Sequence, residues 1–331
     1  MSSPRHPPTA WVLTDGKAGD EAQCLGVVEA MGLAPEIRRV APRKLVAFAM
    51  PWGPIDPAEA PDRAGSPIAP PFPDLVVASG RRAIPYVRAV KRASAGRTFT
   101  VILKDPRTGA KAADLIWVPE HDRLRGPNVI ATLTGPHRVS AERLAGARAA
   151  PDPRFAGLGR PRVAVLVGGD SRHHRFTPDD ADRLARGLEG IAEAGASLMI
   201  TASRRTPEAL AGRLRRIAGK GRGFYWDGTG GNPYLAMLAS ADYIVVTADS
   251  TNMIGEAAAT GVPVLVFEPS GGHVKISEFM AALTHQGIVR PFCGALEGSA
   301  YEPLDTTPAI AGAIAAALAR HRASMEARRA G

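Results

Sequence analysis

Two successive α/β units, each built on a parallel sheet, are predicted by three observations. Short apolar runs alternate with helix-forming stretches along the whole chain, an order that builds parallel sheets rather than hairpins. Apolar runs empty into polar, glycine-containing turns, with Gly16 and Gly19 after the first run and Gly168 and Gly169 midway along the chain. Between the two series, Ala147 to Arg160 mixes proline with small and charged residues and reads as a linker. A chain of 331 residues, 45% of them hydrophobic, is long enough for two separate cores.

The first series begins with a strand over Trp11 to Leu13, a loop from Thr14 to Gly19 and a helix over Glu21 to Met31. The loop is neither a Walker A motif nor GxGxxG, but it sets Asp15 and Lys17 at the mouth of the first strand. Ala34 to Pro73 is rich in proline and charge and reads as an insert, with one apolar island over Leu45 to Trp52 that suits a short helix. A strand over Leu75 to Ala78 and a turn at Ser79, Gly80, Arg81 and Arg82 precede a helix from Ala83 to about Arg92. Strands over Thr98 to Leu103, Leu115 to Val118 and Val129 to Thr132 follow. Successive strand ends thus deliver Asp15 and Lys17, Arg81, Lys104 and Arg107, and His137 and Arg138 to one sheet edge, where open α/β sheets bind ligands.

In the second series Val163 to Val167 is a buried strand that runs into Gly168, Gly169, Asp170, Ser171, Arg172 and His173. Thr177 to Glu193 is a capped helix, and Ser197 to Thr201 is a strand ending in Ser203, Arg204 and Arg205 before Pro207 opens the next helix. Phe224 to Trp226 is a minimal strand, and Asn232, Pro233 and Tyr234 open a short helix. Tyr243 to Val246, the turn Asp249, Ser250 and Asn252, the helix Met253 to Thr260 and the strand Val264 to Phe267 then form one strand–turn–helix–strand unit. A helix opening just past a strand offers unpaired N–H groups and a positive dipole end, which favour a phosphate. Glu256, one turn further in, then lies near the sugar hydroxyls of such a ligand. The plainer alternative is an ordinary turn whose Ser and Asp residues only cap the helix.

This last unit resembles the second half of nucleotide-sugar glycosyltransferases with two facing Rossmann-like domains, the GT-B architecture. The segments TDGKAG, LTGPHRV, GGDSRHHRF and TADSTNMIGEA together are similar to the elongated-mitochondria fission family, which includes plant fission factors and bacterial proteins assigned as glycosyltransferases. The resemblance implies an α/β, GT-B-like chain. An acceptor-side domain over 10–150 and a nucleotide-sugar-binding domain over 160–305 are expected, with a helix over 308–329 returning to the first domain. It implies donor contacts at Gly168, Gly169, Ser171, Arg172, Ser203, Arg204, Asp249, Ser250, Asn252 and Met253, and a ribose contact at Glu256. Arg81, Lys104 and His137 fall on the acceptor side, and Asp15 and Lys17 stand where related enzymes have a catalytic base. The implied activity is transfer of a sugar from a nucleotide-diphospho-sugar to an unknown acceptor, envelope or lipid-linked. The alternatives are a nucleotide-sugar 2-epimerase, or a recruiting protein without turnover.

No carboxylate pair of DxD type stands in a donor loop, so metal-free chemistry with no cofactor is expected. Adjacent His173 and His174 point apart and do not share a metal. Cys24 and Cys293 have no metal-ligand spacing and suit a reduced cytoplasmic setting. The net charge of +9 is not arranged as an aromatic-interleaved stripe, which argues against nucleic acid. The N-terminal arm, MSSPRHPPTAW, lacks a long apolar region, and no stretch is long enough to span a membrane. Leu45, Val46, Phe48, Met50 and Trp52, flanked by Arg38, Arg39, Arg43 and Lys44, suit peripheral contact with the inner face of a membrane; packing into the first core is the alternative.

Overall fold

The computed structural model describes residues 6–220 and 223–330, so the first five residues of the N-terminal arm lie outside the described part. Within it the chain divides into two compact units: one takes the chain up to Arg138 and again from Thr306, the other runs over Val139–Asp305.

The first unit contains β1 (Ala10–Thr14), α1 (Ala18–Ala30), β2 (Glu36–Arg39), α2 (Lys44–Ala49), β3 (Leu75–Ser79), α3 (Ala83–Ala93), β4 (Phe99–Leu103), β5 (Leu115–Pro119) and β6 (Val129–Thr132). The sheet is parallel, in the order β2-β1-β3-β4-β5-β6. Its inner strands β1, β3 and β4 are buried throughout, as a sheet covered on both faces requires. One face packs Trp11, Leu13, Val76 and Ile102 against Tyr86, Val87 and Val90 of α3.

The strand β2 is missing from the sequence reading, which treats Ala34 to Pro73 as insert. Its sequence, EIRR, is nearly all exposed, because an edge strand needs only one hydrogen-bonded neighbour and no buried face. Arg38 instead lays its guanidinium over the Trp11 ring, 4.4 Å from the centroid.

The second unit contains α4 (Ala141–Ala149), β7 (Arg162–Val167), β8 (His174–Arg175), α5 (Pro178–Glu193), β9 (Ser197–Ala202), α6 (Glu208–Gly219), β10 (Phe224–Trp226), α7 (Tyr234–Ser240), β11 (Tyr243–Thr247), α8 (Thr251–Ala258), β12 (Val264–Phe267), β13 (Ser270–Gly271), α9 (Val274–His285) and β14 (Val289–Pro291). Its six-stranded parallel sheet has the order β10-β9-β7-β11-β12-β14, and β8 pairs with β13 in a separate antiparallel ribbon. The helix α5 opens on a full capping box, Thr177 with Asp180. The helix α9, the ribbon and β14 have no counterpart in the sequence reading. They are short or follow glycine-rich turns, so their periodicity is weak.

The expected linker is largely packed structure. Residues 139–150 belong to the second unit rather than the first: Arg148 donates to the Ala239 carbonyl at the end of α7, and Phe155 is buried edge-on against Phe224 at 5.2 Å. Proline and small residues here mark turns between buried contacts.

The last helix, α10 (Thr307–Ala330), belongs to the first unit. Ile310, Ile314 and Leu318, four residues apart, form a buried stripe against Val27, Val101 and Trp117. The two-sheet α/β architecture is thus the GT-B-like one expected from the sequence.

Candidate functional site

Both sheets reverse their strand order at one place, and these switch points decide which strand ends can share a ligand. In the first unit the reversal lies between β1 and β3, so the loops after Thr14 and Ser79 meet there. In the second it lies between β7 and β11, which joins the loops after Val167 and Thr247.

At the first switch point Gly16, at φ 82°, lets the chain turn, and its N–H donates to Thr14 Oγ1 at 3.0 Å. Asp15 then points inward. Its side chain is only 1% exposed, neither oxygen accepts a hydrogen bond, and Lys17 Nζ stands 3.1 Å from Oδ2. Lys17 itself is largely exposed. Across Gly80, at φ 93°, Asp15 faces a second carboxylate, Asp20, since a Cβ on Gly80 would meet both. Asp20 accepts from Ser79 Oγ at 3.1 Å and pairs with Lys104 Nζ at 2.7 Å. Burial pushes the Asp20 carboxyl up, but Lys104 and Ser79 outweigh it and hold it below its ordinary range. Lys104 reaches Asp20 from a left-handed backbone at φ 78°, a conformation that costs a non-glycine residue about 1 kcal/mol or more.

Arg81 and His137 do not join this cluster. The Arg81 guanidinium caps α2, donating to the carbonyls of Ala47 at 3.1 Å and Phe48 at 3.5 Å. His137 follows β6, three strands from β3 and so roughly 14 Å away across the sheet. It is buried, its backbone N–H donates to Thr307 Oγ1 at 3.1 Å, and Gly26 packs against its carbonyl. Asp20 has no place in the sequence reading, although an acidic residue in the first turn of a helix that opens at a strand end is a signal for it.

At the second switch point the two glycines serve close packing. A Cβ on Gly168 would overlap the Asp249 carboxylate, and one on Gly169 would overlap the backbone of Arg205. Their N–H groups are already taken: Gly168 donates to Thr247 Oγ1 at 2.8 Å and Gly169 to Asp249 Oδ2 at 3.0 Å. The Asp249 side chain is fully buried and also accepts from Thr247 Oγ1 at 2.7 Å and from Arg205 Nη2 at 2.8 Å. Arg205 in turn donates to the carbonyls of Gly169 and Asp170. Asp249 is thus a rivet between three strand ends, and among the described residues no group of three or more His, Cys, Asp or Glu side chains could hold a metal ion.

Several hydroxyls expected at a donor are also engaged locally. Ser171 Oγ accepts from the N–H groups of His173 and His174, Ser203 Oγ accepts from Arg205 N–H, and Ser250 Oγ caps α8 by accepting from Met253 N–H at 3.4 Å. Arg172 and Arg204 are exposed and form no hydrogen bond or ion pair among the described residues. Asn252 lies in the first turn of α8, next to Thr251, whose N–H has no partner among the described residues.

Glu256 lies one turn into α8, half-buried, with Tyr234 Oη donating to its Oε2 at 2.6 Å. Burial pushes its carboxyl up to about 7, although the Tyr234 hydrogen bond pulls the other way. The Tyr234 phenol is driven well above its ordinary value by burial and by the adjacent carboxylate. In the sequence Tyr234 reads only as a helix start. Its pairing with a residue 22 positions later leaves no mark in local sequence.

A family model described as mitochondrial fission ELM1 matches residues 18–318. The mitochondrial fission protein ELM1 of Arabidopsis thaliana is 30% identical over 262 residues, 71% of this chain and 61% of that protein. An uncharacterized protein of Rickettsia prowazekii (strain Madrid E) is 33% identical over 164 residues, 47% of this chain and 46% of its own length. The chain thus spans less than two thirds of the length of these relatives. Among solved structures, the UDP-GlcNAc 2-epimerase of Neisseria meningitidis bound to UDP-GlcNAc superposes with TM-score 0.53 at 14% identity, covering 92% of this chain and 90% of that one. The UDP-N-acetylglucosamine 2-epimerase of Rickettsia bellii gives 0.51 at 13%, covering 96% and 97%, and the glycotransferase of kitacinnamycin 0.51 at 15%, covering 98% and 96%. At these identities the likeness shows the GT-B-like fold, while the match over nearly the whole length settles the lineage: the chain belongs to the mitochondrial fission ELM1 family.

Proposed function

We propose that the second unit binds a nucleoside-diphosphate sugar at the β7/β11 switch point and that the chain transfers the sugar to an acceptor activated by Asp15. The observation that carries this reading is the placement of Glu256, one turn behind the open end of α8 with Tyr234 Oη on its Oε2, where burial pushes the carboxyl up to about 7. The N–H end of α8 suits a diphosphate, with Arg172 and Arg204 as its countercharges. A ribose diol beyond the phosphate brings two O–H donors to the carboxyl, and these favour its ionised form. Gly168, Gly169 and Asp249 fix the loops rather than touch the ligand. Proteins of this fold include an epimerase bound to UDP-GlcNAc and a glycotransferase, which supports a nucleotide-sugar as the ligand class.

Calorimetry with UDP, GDP and ADP, their sugar conjugates and a 2′,3′-dideoxy control tests the reading. Binding should release protons near neutral pH and tighten as pH rises through about 7, an effect lost in the dideoxy control and in Glu256→Gln. No binding by any ribonucleotide, or binding unchanged by Glu256→Gln and by removal of the diol, would overturn it. Incubating a bound nucleotide-sugar alone in deuterated water separates the enzymatic alternatives. Deuterium at C2 without acceptor identifies an epimerase, and binding with neither exchange nor transfer identifies a recruiting protein.

A further inference from the structure

The region around α2 presents Leu45, Phe48 and Trp52 to solvent at 89%, 85% and 64% exposure. Scattered apolar side chains are ordinary on protein surfaces, but three large ones within eight residues form a patch. The local packing holds them there. Ala47 and Met50 are buried and Val46 packs on the first core, so the opposite side of the segment is anchored. Met50 and Val46 therefore leave the apolar island read from the sequence, and only three of its five members face outward. Arg81 caps the end of α2, Arg88 donates to the Pro51 carbonyl at 2.7 Å, and Arg43 forks onto Asp56. These bonds fix the backbone on either side of the exposed side chains. Leu45 and Phe48, three apart, share a helix face, with Trp52 just past its end.

We infer that this patch is a docking surface for an anionic lipid bilayer. Two features choose the bilayer over a protein. Of the cations that flank the island in sequence, Arg38, Arg39 and Arg43 pair with Glu36, Glu21 and Asp56, whereas Lys44 has no acidic partner among the described residues. Arg81 and Arg88 reach the same segment and bind only its neutral carbonyls, so three cations at the patch keep their charge unpaired by an acid. The area is also small. Three such side chains supply roughly 500 Å², below the roughly 800 Å² per partner of a stable protein pair, but enough for shallow insertion when cations add to it. Contact is peripheral, since no helix among the described residues is long and apolar enough to cross a membrane.

The test is co-sedimentation of the full chain with vesicles of phosphatidylcholine alone and of phosphatidylcholine with about 30% phosphatidylglycerol. Binding to the anionic vesicles is expected, weakening with salt, and brominated lipid should quench tryptophan fluorescence. Phe48→Ser with Trp52→Ser should lower partitioning by about tenfold or more, and Lys44→Glu should lower it on anionic vesicles only. Val274→Ser, which removes an exposed apolar side chain in the second unit, should change nothing. Trp52→Phe should abolish most of the quenching, so the outcome is readable even if a double variant folds poorly. No association with anionic vesicles at low salt, association indifferent to the Phe48 and Trp52 changes, or concentration-dependent self-association lost in those variants without lipid binding would overturn the inference.

Discussion

Asp15 and Asp249 each stand just past a central strand at the switch point of their unit, and both side chains are almost completely buried. Their surroundings are opposite. Asp249 accepts from a backbone N–H, a hydroxyl and a guanidinium, whereas Asp15 accepts no hydrogen bond and has only the exposed Lys17 ammonium beside it, with Asp20 across Gly80. A buried carboxylate with a complete set of donors stabilises the fold, and one without them is held at a cost to stability. The contrast marks Asp249 as a structural acid; under the proposed function, Asp15 is the acid that meets the acceptor.

The largest expected effect comes from breaking the satisfied side of this pair. Asp249→Ala leaves the Gly169 N–H and the buried Thr247 hydroxyl without their acceptor, while Arg205, partly exposed, keeps its carbonyl partners, and the change should cost about 2–4 kcal/mol in denaturant unfolding. A loss under about 1 kcal/mol would remove the rivet role.

Next comes Glu256, where the sign follows from its raised carboxyl. Between its unfolded value of 4.5 and about 7 the folded chain holds a proton that the unfolded chain releases. Stability from this group is therefore complete below 4.5 and is lost as pH rises through about 7, a swing of about 3 kcal/mol. Glu256→Gln should flatten that part of the stability–pH curve, and an unchanged curve would show that the carboxyl titrates normally. Tyr234→Phe removes the bond that lowers the Glu256 value, so the titration of Glu256 followed by NMR should move upward, with about 1 kcal/mol lost in stability at pH 8.

The smallest effect on stability is expected at Asp15 itself. Asp15→Asn removes a charge that nothing hydrogen-bonds, so its stability should stay within about 1 kcal/mol of the unaltered chain or rise. Turnover, or acceptor binding, should be lost. If the Asp15→Asn chain unfolds as readily as the Asp249 variant, the contrast between the two acids is erased.

Strands and their helices are legible in the chain wherever a β-branched run meets a capping turn. Val163 to Val167, Tyr243 to Val246 and the Ser250 cap are written in adjacent residues, because burial on both faces and the unpaired N–H groups of a helix start are local demands. Glycines at 168 and 169 were visible as a tight place, but not what crowds it. Folding alone brings Asp249, 80 positions from Gly169, into that place, sets Tyr234 on Glu256 and turns Asp20 toward Asp15. It also decided that EIRR is an edge strand and that Phe48 faces water while Met50 is buried two residues later. These facts depend on which segments the sheet order brings together, and hydrogen bonding and burial are properties of neighbours in space that no single stretch of chain contains.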